Sequence, residues 1–361
     1  MLNSLLLIAI IGHICPIAVW AALANDPNDS DRSLVILSAV TPQNSYYGQY
    51  FEDIAKFQIA YAKLISENGD NVLILTPSSV RQRFLQDLPG QMLLEGDMTD
   101  TWTRDFSTVR LDKPTFMWYV NNYEPRQVTL GIQDSFKYVI NEHCSHIPIE
   151  QTDVNLDGGN VVDNFVDTAI ITKRVLSDNP HMTEAQLKST LSNALGYPNI
   201  GLVPDCGDKT GHSDGMVSFL DEDTLAVTGT LKDQPTCYSG TMNTLTNELG
   251  YAANDIVELD SVWTAETFDN FEGSCGLHIN ALLTWKNLFV PVFGQDTANS
   301  GQSTARDDAV LSVIRTKAKR NVVGVPVPHK ICRMGGSVRC FSGSMKGPLA
   351  KCLVEAAQQL A

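Results

Sequence analysis

The sequence predicts an α/β fold in one domain, and three observations carry that expectation. Strand-like and helix-like segments alternate without an obvious linker between them. Short apolar strands recur near Asn71, Thr115, Thr168, Thr224 and Leu288, separated by 44, 53, 56 and 64 residues. The chain has 361 residues and 43% of them are hydrophobic, enough for a large core. The uneven spacing does not prove a repeat. It suits a radial array of α/β units closing on themselves, with a doubly wound open sheet as the plainer alternative.

Residues 1–24 contain no Asp, Glu, Lys or Arg, and their apolar run ends in Ala22-Leu23-Ala24. That small-x-small ending predicts a cleaved signal peptide over 1–24, a folded domain over 25–361, and a secreted protein. An uncleaved membrane anchor is the competing reading. No later stretch holds the ~18 consecutive apolar residues a spanning helix needs.

The remaining elements follow from periodicity and stop signals. Residues 34–39 (LVILSA) predict a buried strand, and Phe51, Ile54, Phe57, Tyr61 and Leu64 predict a helix over 50–67. Asn68-Gly69 ends that helix, and NVLIL over 71–75 is the next strand. TFMWYV from Thr115, TAIIT from Thr168, TLAVT from Thr224 and LFVPV from Leu288 are read as strands in the same way. Thr183 and Gln186 form a capping-box pattern ahead of Leu187, Leu191 and Leu195, closed by Gly196. Residues 304–319 predict a helix, with Asp307 and Asp308 early and Lys317 and Lys319 late, as a helix dipole prefers. A strand over 321–327 follows.

Charge and cysteines narrow the function. The net charge is −15, which argues against nucleic acid, because phosphate contacts need clustered Lys and Arg. No Gly-x-Gly-x-x-Gly or Walker loop follows a predicted strand, so no nucleotide cofactor is expected. Beyond residue 24 there are seven cysteines: Cys144, Cys206, Cys237, Cys275, Cys332, Cys340 and Cys352. Seven is odd, so in an oxidising compartment at least one stays free or pairs between chains.

Four segments could carry chemistry. Trp102 and Asp105 flank Arg104; an aromatic face and a carboxylate suit a planar cation, although a buried Trp beside an Arg–Asp pair is the ordinary explanation. Asp157-Gly158-Gly159-Asn160 is explained equally well by a type I′ or II turn. His212 and Asp214 stand two apart, so a strand would point both to one face, where the pair could serve acid–base work. As metal ligands they lack a clear third partner, and no metal is expected. Cys340 follows Gly335-Gly336, which lets the backbone turn tightly near a ligand; it is either a nucleophile or a disulfide partner for Cys332 or Cys352.

Taken in order, these segments resemble the agmatine deiminase and bacterial-type peptidyl-arginine deiminase family of guanidine-modifying enzymes. Trp102-Thr-Arg104-Asp105 is similar to its Trp-x-Arg-Asp motif, Asp157-Gly158-Gly159 to its acidic-Gly-Gly turn, and Gly211-His212-Ser213-Asp214 to its Gly-His-x-Asp motif. Gly335-Gly336 ahead of Cys340 resembles the motif that carries the nucleophile, and His278-Ile-Asn280 leading to Val290-Pro291-Val292 resembles the penultimate strand. The resemblance runs from about residue 34 to 345.

It implies a five-bladed α/β propeller with the site on its axis, and a hydrolase needing no cofactor. In that scheme Asp105 and Asp214 hold the guanidinium and Cys340 attacks its central carbon. His212 protonates departing ammonia and then activates water. Trp102 walls the pocket, Asn280 supports the cysteine, and Asp157 contacts substrate. The implied partner is agmatine or an arginine residue. Three departures stand out: Arg339 replaces the usual His before the cysteine, Ser107-Thr108 replaces Gly-Pro, and Arg126 alone is placed to meet a C-terminal carboxylate. An amidinotransferase using the same covalent intermediate, or a secreted binding protein without turnover, are the rival readings.

Overall fold

The computed structural model describes residues 25–361 apart from 111, 122, 207–208, 262–266 and 295–302. The signal peptide expected at 1–24 lies outside the described residues.

Five parallel strand pairs, each bridged by a helix and each in a different sheet, dominate the architecture; a sixth, Asn71–Thr76 with Leu93–Glu95, extends the first of those sheets. Leu34–Ser38 pairs with Asn71–Thr76 across the helix Phe51–Glu67. Thr115–Trp118 pairs with Glu150–Asn155 across Arg126–Cys144. Thr168–Thr172 pairs with Asn199–Val203 across Glu184–Leu195, and Leu225–Thr228 with Ile256–Leu259 across Pro235–Asn243. Asn287–Val292 pairs with Asn321–Pro326 across Thr304–Lys317. Each of the five bridged pairs belongs to its own sheet, so the doubly wound open sheet is excluded. The first strand of each unit is an almost wholly buried apolar run, as parallel strands covered on both faces require.

Most expected boundaries hold within a residue or two. The capping box at Thr183 forms with both of its hydrogen bonds, and Gly196 closes that helix in the left-handed conformation. The helix expected over 304–319 stops at Lys317, two residues early. Asp307 does more there than face a dipole: its carboxylate accepts from the Phe293 and Gly294 amides and lies 2.8 Å from His278 Nε2.

Four of the five sheets carry an antiparallel strand, and each of those strands is entered through a tight turn. The strand Val162–Asp163 follows the 3-10 turn Gly158–Asn160, and Val217–Phe219 follows Ser213–Gly215. Leu282–Leu283 follows the turn containing Leu277–Asn280, and Gly343–Met345 follows the turn containing Ser337–Ser342. The remaining unit is preceded by the short helix Thr103–Phe106. Every motif singled out in the sequence lies in one of these five turns, or immediately beside it.

Gly343–Met345 does not join its sequence neighbours. It pairs antiparallel with Leu34–Ser38, so the chain returns to the sheet where its folded part begins. The seam between first and fifth units is both apolar and polar. Leu37, Ile74, Phe289, Val325 and Phe341 share one core. Buried Asp70 accepts from the Ser33 amide, the Thr284 hydroxyl and the Asn287 side-chain amide, which satisfies a carboxylate that would otherwise be costly to bury. Among the described residues no helix is long and apolar enough to cross a membrane.

Candidate active site

Cys340 is the one free thiol among the described residues. Cys144 pairs with Cys352, Cys206 with Cys237 and Cys275 with Cys332. Its turn is pinned at both ends: the Arg104 amide donates to its carbonyl at 3.1 Å, and Asn280 Nδ2 donates to its Sγ at 3.2 Å. Asn280 Oδ1 in turn accepts from Ser337 Oγ at 2.9 Å and from the Arg339 amide at 3.2 Å. The Cys275–Cys332 disulfide braces the Asn280 turn against the segment leading to the cysteine. Gly336 is needed because a Cβ there would sit 2.4 Å from the Trp102 ring and 2.8 Å from Cys340 Cβ. Trp102 meets Phe341 edge-on, with ring centroids 4.7 Å apart. Burial pushes the Cys340 thiol pKa well up, and the charges of Asp214 and Asp105 add to the rise.

A buried charge chain faces the thiol. Arg174 Nη2 donates to Asp157 Oδ2 at 2.7 Å, and His212 Nε2 lies 3.1 Å from the same oxygen. Burial alone would raise the Asp157 pKa, but Arg174 and His212 outweigh it and hold the carboxyl far below the usual range. Burial likewise opposes charge on His212, yet Asp157 and Asp105 hold its pKa up at about 9. Asp105 is pushed up to about 7, mainly by burial and against the pull of His212. Its Oδ1 is buried without a hydrogen-bond partner. Gly159 lies against both groups: a Cβ there would be 2.3 Å from His212 Nδ1 and 2.5 Å from Asp105 Oδ1. Neither Gly158 nor Gly159 has a positive φ. The type I′ or II turn is therefore excluded, and the Gly-Gly pair exists for close approach.

Asp214 enters from a third turn. Its Oδ2 lies 2.8 Å from Arg339 Nη1 and 3.8 Å from Cys340 Sγ. Arg339 also donates to the Gly159 and Val161 carbonyls. It thus ties the turns of Gly159, Asp214 and Cys340 together through one guanidinium.

These groups converge on a cavity of about 200 Å³ lined by Cys340, His212, Asp214, Asp105, Trp102 and Asn280. Its outer part holds Tyr46, Tyr123 and the hairpin of Thr267–Phe268 with Phe271–Glu272. Glu124, Asp269 and Glu272 stand there against one cation, Lys209, which lies 3.8 Å over the Phe271 ring. Among the described residues no group of three His, Cys, Asp or Glu side chains is placed to hold a metal.

A family model for Porphyromonas-type peptidyl-arginine deiminase matches residues 29–345. The chain belongs to that family. Its members are hydrolases acting on C–N bonds of guanidino groups. Among solved structures, C. jejuni agmatine deiminase superposes with a TM-score of 0.70 at 18% identity, covering 88% of this chain and 94% of that one. A substrate-bound cysteine-to-serine variant of that enzyme gives 0.69 at 16%, with 90% and 96% covered. Agmatine deiminase of Enterococcus faecalis gives 0.62 at 16%, with 88% and 93% covered. These likenesses establish the α/β fold. No curated protein matches the chain.

The structure of this deiminase-family chain brings six of the eight anticipated residues to the cavity and leaves two outside it. Asp157 is fully buried behind His212 and meets no substrate space; its partners are Arg174 and His212. Arg126 opens the helix Arg126–Cys144, where it is exposed and donates to Asn155 Oδ1 at 3.3 Å. It is not among the residues that line the cavity, although Tyr123 and Glu124 just before it are. His212 and Asp214 share no strand; they flank Ser213 in an extended-to-3-10 corner and converge from one turn. Arg104 does not pair with Asp105 but points away toward Ser344. Arg174 is the working residue that sequence reading passed over, because it lies in a short helix with no motif around it. Arg339 was noted as a departure from the pattern, with no sign that its guanidinium would reach Asp214.

Proposed function

We propose that this protein hydrolyses the guanidino group of a small, doubly cationic substrate of the agmatine type, giving a ureido group and ammonia, with Cys340 as nucleophile. One observation carries the reading. Asp105 Oδ1 is a buried carboxylate oxygen without a partner, set in the same cavity as a free thiol and His212. Such an orphan acceptor is costly unless a cation arrives.

A guanidinium bound to Asp105 and to Asp214 supplies that cation. It also counters the two carboxylate charges that push the thiol up, so binding itself favours the thiolate. Thiolate attack on the central carbon forms an S–C bond. His212, protonated at neutral pH, gives its proton to the departing nitrogen. Neutral His212 then takes a proton from water as it attacks the thiouronium, and Cys340 leaves. Asp157, charged and held by Arg174, keeps the imidazole oriented and favours its charged form.

The carboxylates of Glu124, Asp269 and Glu272 outnumber Lys209 at the mouth, which supports a cationic tail over the carboxylate of a C-terminal arginine. The five units, one turn from each reaching the site, support a five-bladed propeller closed by Gly343–Met345. Three disulfides support folding in an oxidising compartment, in keeping with a leader at 1–24 and secretion.

The test is ammonia release from agmatine, free arginine and C-terminal arginyl peptides. Agmatine should give kcat/KM at least tenfold above the others. No ammonia from any of them removes the assignment, and guanidino transfer to an added amine would make the protein an amidinotransferase.

A further inference from the structure

A second cavity, about 310 Å³, meets the first at His212, Gly215 and Glu272. Its floor is made by buried His212, Met216 and Thr228, and its outer lip by exposed Asp205 and Asp233. It therefore runs from the surface at Asp205 and Asp233 to His212, with a lip that shares only Glu272 with the main mouth. No Lys or Arg lines it among the described residues, whereas Asp205, Asp233 and Glu272 bring carboxylates.

We propose that this second cavity is the passage by which ammonium leaves and water arrives while the rest of the substrate is still bonded to Cys340. The inference rests on the reaction proposed above and follows from its timing. In the first half, the S–C bond forms and the C–N bond breaks, its electron pair leaving on nitrogen, which takes the His212 proton. The thiouronium keeps the substrate's tail, and that tail still fills the first cavity. One small molecule must then leave and another must arrive while the main mouth is blocked.

In the second half, water oxygen bonds the carbon and gives one proton to His212. The S–C pair returns to Cys340. Ammonia takes a proton from water as it enters the passage and leaves as ammonium, and the proton later shed by the product oxygen returns to water, so the sum is one ureido product and one ammonium. His212 takes part in both proton transfers, and it is the proposed catalytic group that borders both cavities. Carboxylates along the passage favour the cation over other small solutes, and the Thr228 and Thr230 hydroxyls, 3.0 Å apart, offer hydrogen bonds to water.

The test plugs the passage away from the catalytic groups. Thr230→Trp should lower kcat at least tenfold with KM falling in proportion, and mass spectrometry of quenched turnover should find the amidine adduct on Cys340. Thr230→Ser should match wild type. Should Thr230→Trp fail to fold by circular dichroism, Asp233→Asn decides. It should cut incorporation of added 15N-ammonium into recovered substrate several-fold, with KM unchanged. A folded Thr230→Trp with wild-type kcat and no adduct, a raised KM in that variant, or unchanged exchange in Asp233→Asn overturns the passage while leaving the reaction standing. A wild type that releases no ammonia from any guanidine overturns the reaction and the passage with it.

Discussion

Asp105 and His212 set opposite limbs of the expected pH profile. Guanidinium binding needs ionised Asp105, whose pKa burial raises to about 7, so kcat/KM should rise through that region. The acid step needs protonated His212, held at about 9 by Asp157 and Asp105, so kcat/KM should fall above it. A bell with these limbs is the expected result of a pH–rate measurement. Asp157→Asn removes the largest of the interactions raising His212, so its alkaline limb should move to lower pH. Stability carries a related signature. Asp105 is raised, so its folded form holds a proton that the unfolded chain loses near pH 4, and its contribution is lost as pH rises toward 7. Asp105→Asn should therefore raise apo-protein stability at pH 8 by about 1–3 kcal/mol while abolishing substrate binding, checked by denaturant melts and calorimetry. Cys340→Ser should lose turnover by at least 10³-fold with an unchanged melting curve. How much of this was readable beforehand differs by residue. The odd cysteine count asked for an unpaired thiol without saying which, and the resemblance of Gly335-Gly336 and Cys340 to the family's nucleophile motif is what pointed to Cys340. The role of Asp157 was not readable, because it is defined by Arg174, which reaches it through a salt bridge that leaves no pattern in the chain.

The first strand of each unit and three of the helices were legible as apolar runs with clear stops, whereas Glu150–Asn155, polar and largely exposed, and the helices Arg126–Cys144 and Pro235–Asn243 were not. The five turns that build the site were not, because short polar and Gly-rich stretches look like ordinary loops until their neighbours are known. Gly159 shows why the turns tolerate little change. Gly159→Ala would press a methyl against His212 and Asp105, and kcat should fall at least a hundredfold while helix content by circular dichroism stays the same. The Cys275–Cys332 brace acts at the same level. Replacing both with Ser should cost about 2–4 kcal/mol of stability on unfolding. It should also loosen Asn280 against Cys340, seen as a fall in kcat larger than any change in KM.

Across the whole molecule the net charge is −15, and the mouth repeats that sign on a smaller scale. A dication should be steered toward such a surface, so kcat/KM for agmatine should fall as salt rises from 10 to 500 mM, where screening shortens the field's reach from about 30 Å to a few Å. A flat salt dependence would show that the acidic balance serves solubility alone. The spread of motifs along the chain led to the expectation that they converge in one fold, and residues 102 and 340 do line one cavity. Closure through Gly343–Met345 was not readable, because a three-residue strand that pairs with the opposite end of the fold carries no periodic signal.

That closing strand begins three residues after Cys340, and it bears on which cysteines can reach one another. Cys206 and Cys237, and Cys275 and Cys332, all emerge before Cys340 and can find each other within their own stretches. Among the described residues, Cys144 is the one cysteine before Cys340 whose partner, Cys352, lies after it. With Gly343–Met345 docked on Leu34–Ser38, Cys340 is held in its turn beside Asn280, and Cys352 in the following helix is bonded to Cys144. The docked strand thus keeps the free thiol apart from Cys144, and a variant in which that strand fails to dock would be expected to accumulate a Cys144–Cys340 mispair.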